Sequence, residues 1–458
     1  MKPIALQTLA DFAEGRYAAE SLVLPQSVTR VTTDSRNVGS GDVFVALAGD
    51  RFDAHDFIPQ VVAAGAAAVV VSRVDPAWDL GACLVIEVPD TLLALQNMAR
   101  GYRAWHQPLI VGLTGSNGKT STKDLTALVM GLKMQTRATL GNLNNHIGLP
   151  LTLLSLAEGD ECGVVEMGMN HPGEIKTLVD IALPDAAIVT NVGMAHIEYM
   201  GSQDAIGWEK GTLPANVHAE GVVVLNANDK YTPLISRHCQ ATVFTAGTGA
   251  GDVRAFDLQP GPDGTRFKLD FSGEVVETFL PVMGDHMVGN AALAACMGWA
   301  HGISPADIAQ GLSQARLTGG RMETKTVQGI LFIDDSYNAN PDSMKAGLVT
   351  LASLSIPGQK IAVLGRMGEL GAHAQSGHED VGRFAAELGL TALYTVGDEA
   401  ALISQAAQAA GQAETLNFPS HEACAAHLKK MLQPGDAVLL KGSRSAGMEK
   451  VLLHFQSA

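Results

Sequence analysis

Four short runs in the middle of the chain begin as unbroken apolar stretches: PLIVGLT (108–114), GVVEMGM (163–169), AAIVTNVG (186–193) and GVVVLNAN (221–228). Each leads through a polar or glycine-bearing loop into a stretch of helical periodicity. Strands that are apolar on both faces belong inside a sheet covered on both sides, and strand–helix alternation demands parallel pairing. The pattern confines the chain to the α/β class. It breaks near 251–283, where VRAFDLQPGPDGTRFKLDFSGEVVETFLPV alternates apolar and polar residues and carries PDG and SG turns. That texture predicts an antiparallel annex on the parallel domain. A helix follows, MVGNAALAACMGWAHG, with Gly302 as its stop.

The same reasoning divides the rest. DVFVAL, AAVVVS and CLVIEV are candidate strands in the first hundred residues, with helical character in DFIPQVVAAGA. PDTLLALQNMARGYRAWHQP predicts a helix capped by Asp90 or Thr91 and stopped before Pro108. From about 316, GILFIDDS, KIAVLGRM, ALYTVGDE and AVLLKGSR each run into a polar loop. Three domains are expected, 1–105, 106–315 and 316–458, which suits a chain of 458 residues. Asp334-Asp335-Ser336, Gly365-Arg366, Gly397-Asp398 and Lys441-Gly442-Ser443-Arg444 then fall beyond strand carboxyl ends, where open α/β sheets bind ligands.

Composition removes several function classes. A formal net charge of -16 disfavours nucleic acid and anionic membranes as partners. MKPIALQTLADFAEG lacks the apolar core of a signal peptide, and no run approaches a membrane span. The cysteines at 83, 162, 239, 296 and 424 form no Cys-x-x-Cys pair, and His-Glu-x-x-His is absent. A reduced, cytoplasmic protein that inserts into no membrane is expected, with no zinc box. The oligomeric expectation is a monomer.

TGSNGKTST (114–122) lies between a predicted strand and a predicted helix. Gly115 and Gly118 allow amides to converge on an anion, Lys119 adds a point charge and Thr120 a hydroxyl for Mg²⁺. Thr114, Gly115, Ser116, Asn117, Gly118, Lys119, Thr120 and Ser121 are therefore candidate nucleotide ligands. The full phosphate-loop pattern has glycine where this chain has Leu113, so the loop is a variant. Glu166 and His196 follow neighbouring strands and suit metal ligation beside a triphosphate. Taken singly, Glu166 also fits a solvated strand-end carboxylate and His196 a structural histidine. A GTPase switch would carry Asn-Lys-x-Asp, which NANDKY does not match; an ATP-driven binding module stays open.

GLTGSNGKTST, GNLNNHIGLP, VVEMGMNHPGEI, VTNVGMAHIE and FIDDSYNANPDSM together resemble the Mur ligases. The resemblance runs from TTDSRNVGSGDVFVALAGDRFDAHDFI near the start to LLKGSRSAGMEK near the end. The asparagine-rich loop 142–145 and DDSYNANPDSM point, within the family, to the member that joins D-alanyl-D-alanine to UDP-N-acetylmuramoyl-tripeptide. DNPR, expected of the diaminopimelate-adding sibling, is absent. The resemblance implies an N-terminal UDP-binding domain, a central ATPase domain and a C-terminal Rossmann-like domain. It also implies ATP and two Mg²⁺ ions as cofactors and an acyl phosphate intermediate.

The resemblance implies site residues too. Lys119 and the amides of 115–120 would hold the β- and γ-phosphates. Thr120 and Glu166 would bind one Mg²⁺, and His196 would help bind the second. Lys210, in AIGWEKGTL, would be carbamoylated and act as a further metal ligand, although Glu209 and Thr212 depart from the usual neighbours and a solvated helix lysine is the plain alternative. Asn290 would contact the nucleotide, with Met287 where asparagine is common. Arg321 and Asp335 would close over ATP from the third domain. Asp34, Ser35 and Arg36 would contact the UDP part, Asn142 and Asn145 the UDP-sugar, and Asn338, Asn340 and Ser343 the dipeptide or peptide carboxylate. At Arg366 the usual acid is missing. His373 and His378 read as loop histidines. Hinges near 105 and 316 would close the domains on the substrates. The competing readings are a sibling amide ligase, such as another Mur ligase or a folylpolyglutamate synthase, and a non-enzymatic ATP-binding module.

Overall fold

The structure, a computed structural model, describes residues 1–17, 27–49 and 52–457. Asp50 and Arg51, inside the long N-terminal motif, lie outside the described residues. The backbone forms three sheets of four, nine and six strands, with a two-stranded ribbon in the first part of the chain.

The first sheet is parallel, in the order Val31–Thr32, Val43–Val45, Ala68–Val71, Leu84–Glu87. The helix Thr91–His106 takes Asp90 as its cap: the carboxylate accepts the N–H groups of Leu92 and Leu93. Gln107, in the left-handed region, ends it before Pro108. This helix joins the first sheet to the second. Tyr102 donates its hydroxyl to Leu156 O at 2.5 Å, and Arg103 pairs with Asp185 at 2.7 Å.

The second sheet has Leu109–Thr114 between Ala186–Val189 and Cys162–Glu166, all parallel and buried. The expected annex is real but is not a separate layer. Val253–Gly261 pairs parallel with Thr242–Thr248 and then antiparallel with Gly264–Phe271, so the hairpins continue the same sheet. An open edge at Thr242–Thr248 would leave backbone groups unpaired, and the added strands satisfy them. The helix Asp285–Ala300 begins two residues earlier than the sequence suggested and is buried nearly throughout. It packs on the phosphate-loop helix Lys119–Met130.

The third sheet runs Glu323–Val327, Ile330–Asp335, Ala437–Lys441, Lys360–Leu364, Ala392–Val396, Thr415–Phe418. Its outer strands, ETKTV and TLNF, carry little apolar signal and were not expected. Lys360–Leu364 leads to the helix Ala374–Glu387, which shares one apolar layer with Leu364 and Leu393. Ala437–Lys441 leads instead to Glu449–Gln456, whose Val451 and Phe455 share the opposite layer with Ile361 and Val363. Two adjacent parallel strands thus send their loops to opposite faces.

Candidate active site

The buried strand Leu109–Thr114 delivers the phosphate loop to the sheet's carboxyl edge. Only glycine fits at its two pivots. A Cβ on Gly115 would lie 1.8 Å from Thr190 Oγ1, and one on Gly118, whose φ is +76°, would lie 2.6 Å from Asn290 Oδ1. Lys119 Nζ donates to Gly115 O at 2.7 Å, across the loop. Burial lowers the Lys119 pKa; Glu166 and Glu369 oppose that, and Arg321 adds to it. Thr114 is scaffold, its hydroxyl donating to Met167 O at 2.9 Å. Ser116 Oγ accepts the Gly193 N–H at 2.8 Å. Asn117 O accepts from the Thr190 hydroxyl at 2.6 Å. Ser116 through Ser121 line a cavity of about 1420 Å³ between the second and third sheets; Thr114 and Gly115 lie behind it.

Glu166 ends its strand beneath the loop and is 2% exposed. Its carboxylate accepts from Thr120 Oγ1 and from Asn144 Nδ2, both at 2.8 Å. Asn144 was not among the expected residues, although it sits within the asparagine-rich loop. The two that were, Asn142 and Asn145, both line the cavity, and Asn145 Oδ1 also accepts the N–H groups of Ile147 and Gly148 at the start of a helix. The hydroxyl and carboxylate of Thr120 and Glu166 are hard oxygen donors at a phosphate loop, and they fit Mg²⁺, which takes few protein ligands and fills its octahedron with phosphate and water. Among the described residues no three His, Cys, Asp or Glu side chains gather as a ready-made metal cluster. A cation held by this pair would need nucleotide or water oxygens to complete its coordination.

His196 sits in the left-handed region, and its Nδ1 lies 2.6 Å from Glu369 Oε2. Glu369 belongs to the third unit and lines the same cavity. Arg366 stands where the family's usual acid is missing, and Glu369, three residues later in the same loop, brings a carboxylate to the cavity. The contact with His196 holds the Glu369 pKa down against burial, aided by Lys119. Lys210 is not brought to the cavity wall. It is 1% exposed inside the helix Gln203–Ala215. Among the described residues nothing hydrogen-bonds its ammonium. Burial drives its pKa well down, Lys119 in the same direction and Glu209 against. Glu209 itself accepts the N–H groups of Gly173 and Ile175 at a helix start.

From the third unit, Arg321 stacks on the Tyr337 ring at 3.9 Å and lines the cavity. Asp335 pairs with Lys441 at 2.6 Å. Asn290 lines the cavity beside Gly118, its Nδ2 3.7 Å from Met287 Sδ. Asn338 also lines it. Asn340 and Ser343, expected to orient a carboxylate, line it too, and they form a reciprocal capping box at the start of the helix Pro341–Ser353. Asn340 keeps one free arm, and Nδ2 donates to Asn117 Oδ1 at 2.7 Å. Asp34, Ser35 and Arg36 are not part of this cavity. Asp34 caps a short turn and pairs with Arg36 at 2.8 Å, which holds its carboxyl down at about 2. Gly397 and Asp398 also lie outside. His378 is buried between the Met367 N–H and Ala374 O, a structural histidine.

A phosphate loop on one α/β sheet, faced across a cavity by an arginine and acids from a second, defines a nucleotide-using enzyme of two-sheet site architecture. Models of the Mur ligase middle domain, of the glutamate ligase domain of Mur ligases and of the Mur ligase family catalytic domain match residues 113–298, 320–444 and 27–103. UDP-N-acetylmuramoyl-tripeptide–D-alanyl-D-alanine ligase of Bacillus subtilis is 36% identical over 92% of both chains. The Escherichia coli enzyme of the same name is 35% identical over 100% of this chain and 99% of its own. Among solved structures, MurF from Acinetobacter baumannii superposes with a TM-score of 0.90 at 34% identity, over 99% of each chain. MurF from Thermotoga maritima in complex with ADP gives 0.83 at 29%, over 93% of this chain and 97% of that one. The chain belongs to the Mur ligase family. A folylpolyglutamate synthase from Mycobacterium tuberculosis shares the fold alone, at 15% identity and a TM-score of 0.63.

Proposed function

We infer that this chain joins D-alanyl-D-alanine to UDP-N-acetylmuramoyl-tripeptide in peptidoglycan synthesis, forming ADP and phosphate. The near-full-length similarity to ligases of that name carries the substrate assignment. The meeting of Lys119, Thr120, Glu166 and Arg321 in one cavity supports the chemistry. On this reading residues 1–105 hold the UDP part through Asp34, Ser35 and Arg36, 106–315 bind ATP and 316–458 bring the third wall. The work is that of a cytoplasmic monomer.

A carboxylate resists attack by an amine because its charge repels the nucleophile and oxide is a poor leaving group. Transfer of the γ-phosphoryl group gives an acyl phosphate. The dipeptide amine then adds to its carbonyl carbon, and phosphate leaves as the amide forms. Lys119 and the loop amides would hold the phosphates, while Arg321 would meet the charge that spreads over the transferring group. Closure of the third unit over the cavity would keep water from the acyl phosphate. Thr120 and Glu166 would hold a Mg²⁺, which supplies charge neutralisation between phosphate oxygens.

A second ion would need more anionic ligands than His196 provides. A buried neutral amine is the form that adds CO₂, so the depressed pKa of Lys210 favours carbamoylation there. Activity should then fall in CO₂-free buffer, and Lys210→Ala should regain part of it with added short carboxylic acids. Unchanged activity without CO₂ would reject the modification.

The deciding assay is phosphate release from Mg-ATP. It should require both the UDP-linked tripeptide and D-alanyl-D-alanine, with a product heavier by the dipeptide. Phosphate release with glutamate or a single amino acid instead would turn the reading to a sibling ligase.

A further inference from the structure

Two N–H groups of the phosphate loop are taken within the protein. Ser116 N–H donates to Asn191 O, and Asn117 N–H donates to Asn191 Oδ1, both at 2.9 Å. Asn191 Nδ2 donates back to Asn117 O at 3.0 Å, and the Thr190 hydroxyl shares that oxygen. One side-chain amide thus pairs with both main-chain groups of a single residue, as a neighbouring strand would. Only this orientation of the amide fits, since the flipped one would set donor against donor and acceptor against acceptor.

The remainder of the loop is open. Gly118 precedes the helix Lys119–Met130, which takes no side-chain cap, and the N–H groups of a first turn have no partner within their own helix. The helices Thr91–His106, Gln203–Ala215 and Pro341–Ser353 are each capped by a side chain. The amides left for phosphate therefore begin at Gly118. Asn191 lines the same cavity and is itself held on both sides. Thr190 O accepts from Asn226 Nδ2 at 2.7 Å, the Val192 N–H donates to Asp229 at 2.6 Å, and Val192 O accepts from Gln203 at 2.7 Å. A group that positions another must have such supports of its own.

We propose that Asn191 is a positioning residue for ATP: it clasps the Asn117 peptide so that the amides from Gly118 to Thr120 meet the phosphates in a preformed arrangement. The inference rests on the reading of the cavity as an ATP site. A loose Asn117 peptide could turn its carbonyl toward the phosphates, where oxygen repels oxygen, and binding would first have to order it. Loss of the clasp therefore weakens ATP and not the UDP-linked substrate.

The test uses Asn191→Ala, which removes both side-chain bonds, and Asn191→Asp, which keeps the shape but sets an oxygen against Asn117 O. Mg-ATP affinity is measured by calorimetry, and amide exchange in residues 114–122 by mass spectrometry on the nucleotide-free enzyme. Two neutral hydrogen bonds correspond to roughly a five- to hundredfold change. Asn191→Ala should weaken ATP within that range and speed exchange in 114–122, with Tm and exchange in the third unit as in wild type. Asn191→Asp should bind ATP no better than Asn191→Ala and should exchange faster than wild type. Exchange is read without nucleotide, so repulsion between the new carboxylate and phosphate plays no part in it. At saturating ATP the KM for the UDP-linked tripeptide should hold. An ATP affinity within about twofold of wild type in either variant, or equal losses for ATP and the UDP-linked substrate, would overturn the proposal. If Asn191→Ala does not fold, the isosteric Asn191→Asp decides. A wild-type enzyme that binds no Mg-ATP would sink the ATP reading instead, because the exchange signature of the clasp needs no nucleotide.

Discussion

Thr120 Oγ1 donates to Glu166 Oε2 at 2.8 Å, tying the first turn of the phosphate-loop helix to the end of the adjacent strand. The carboxylate is buried with two neutral donors and no cation directly on it. A buried charge without a counterion is costly unless something positive arrives. Glu166→Gln keeps the shape and both neighbours while removing that charge. Because metal assistance supplies several kcal/mol, kcat should fall roughly 10²–10³-fold. Thermal stability should hold or rise. A kcat within a factor of about two of wild type, at ~0.4 kcal/mol, would show that the carboxylate serves no ion.

Gly115 leads to a second expectation. Alanine there would place Cβ 1.8 Å from Thr190 Oγ1, whose hydroxyl also holds Asn117 O. The overlap can be relieved by moving the loop or by turning the Thr190 side chain, which would release Asn117 O. Gly115→Ala should therefore cost about 1–3 kcal/mol in denaturant unfolding and abolish ATP binding measured by calorimetry. Thr190→Ala added to it should recover part of the stability. No recovery would place the strain elsewhere in the loop.

Much of this architecture is legible in the sequence because the signals are local. Leu109–Thr114 is apolar without interruption, Asp90 stands ahead of a helical period, and Gly115 to Thr120 can form little else after a strand. The outer strands of the third sheet escape notice because half-exposed edge strands need no apolar run. At the site, the residues that require long-range pairing are the ones missed. Glu369 finds His196 only when the third unit folds against the second, and no local pattern announces that. Asn340 and Ser343 do two things at once: they cap the helix Pro341–Ser353 and also line the cavity.

A pH effect follows from the first unit. His55 is fully buried; its Nε2 accepts the Ser72 N–H at 2.9 Å, and its Nδ1 lies 2.6 Å from Asp53 Oδ1. Burial pushes the Asp53 carboxyl up, but the His55 N–H, Arg73 and the His55 ring outweigh it and bring it down to about 2. An unfolded aspartate titrates at about 3.9. The folded pKa is the lower, so protonation favours unfolding: this contribution is complete above about pH 5 and is lost as pH falls toward 2. Asp53→Asn should show a smaller loss of Tm than wild type between about pH 5 and pH 3, followed by circular dichroism. Parallel curves would mean that Asp53 adds nothing to the acid limb.

The bond from Asn340 Nδ2 to Asn117 Oδ1 at 2.7 Å connects the third unit to the phosphate loop, yet Asn340 is also the cap of its own helix. Two substitutions separate these duties. Serine caps about as well as asparagine but is too short to reach Asn117, so Asn340→Ser should leave Tm close to wild type. Alanine loses both, and should cost a further ~0.5–2 kcal/mol. A neutral hydrogen bond contributes about 0.5–1.5 kcal/mol, so its loss should shift the ratio of closed to open molecules by roughly two- to tenfold. The KM for ATP should rise by a similar factor in both variants, with a larger radius of gyration in solution scattering. If Asn340→Ser leaves both quantities at the wild-type value, the contact is a consequence of closure and contributes nothing to it. Closure would then rest on the His196–Glu369 pair, on the Met194 N–H that donates to Asp342, and on Thr318, whose N–H and hydroxyl both donate to Asp124 across the linker between the two sheets.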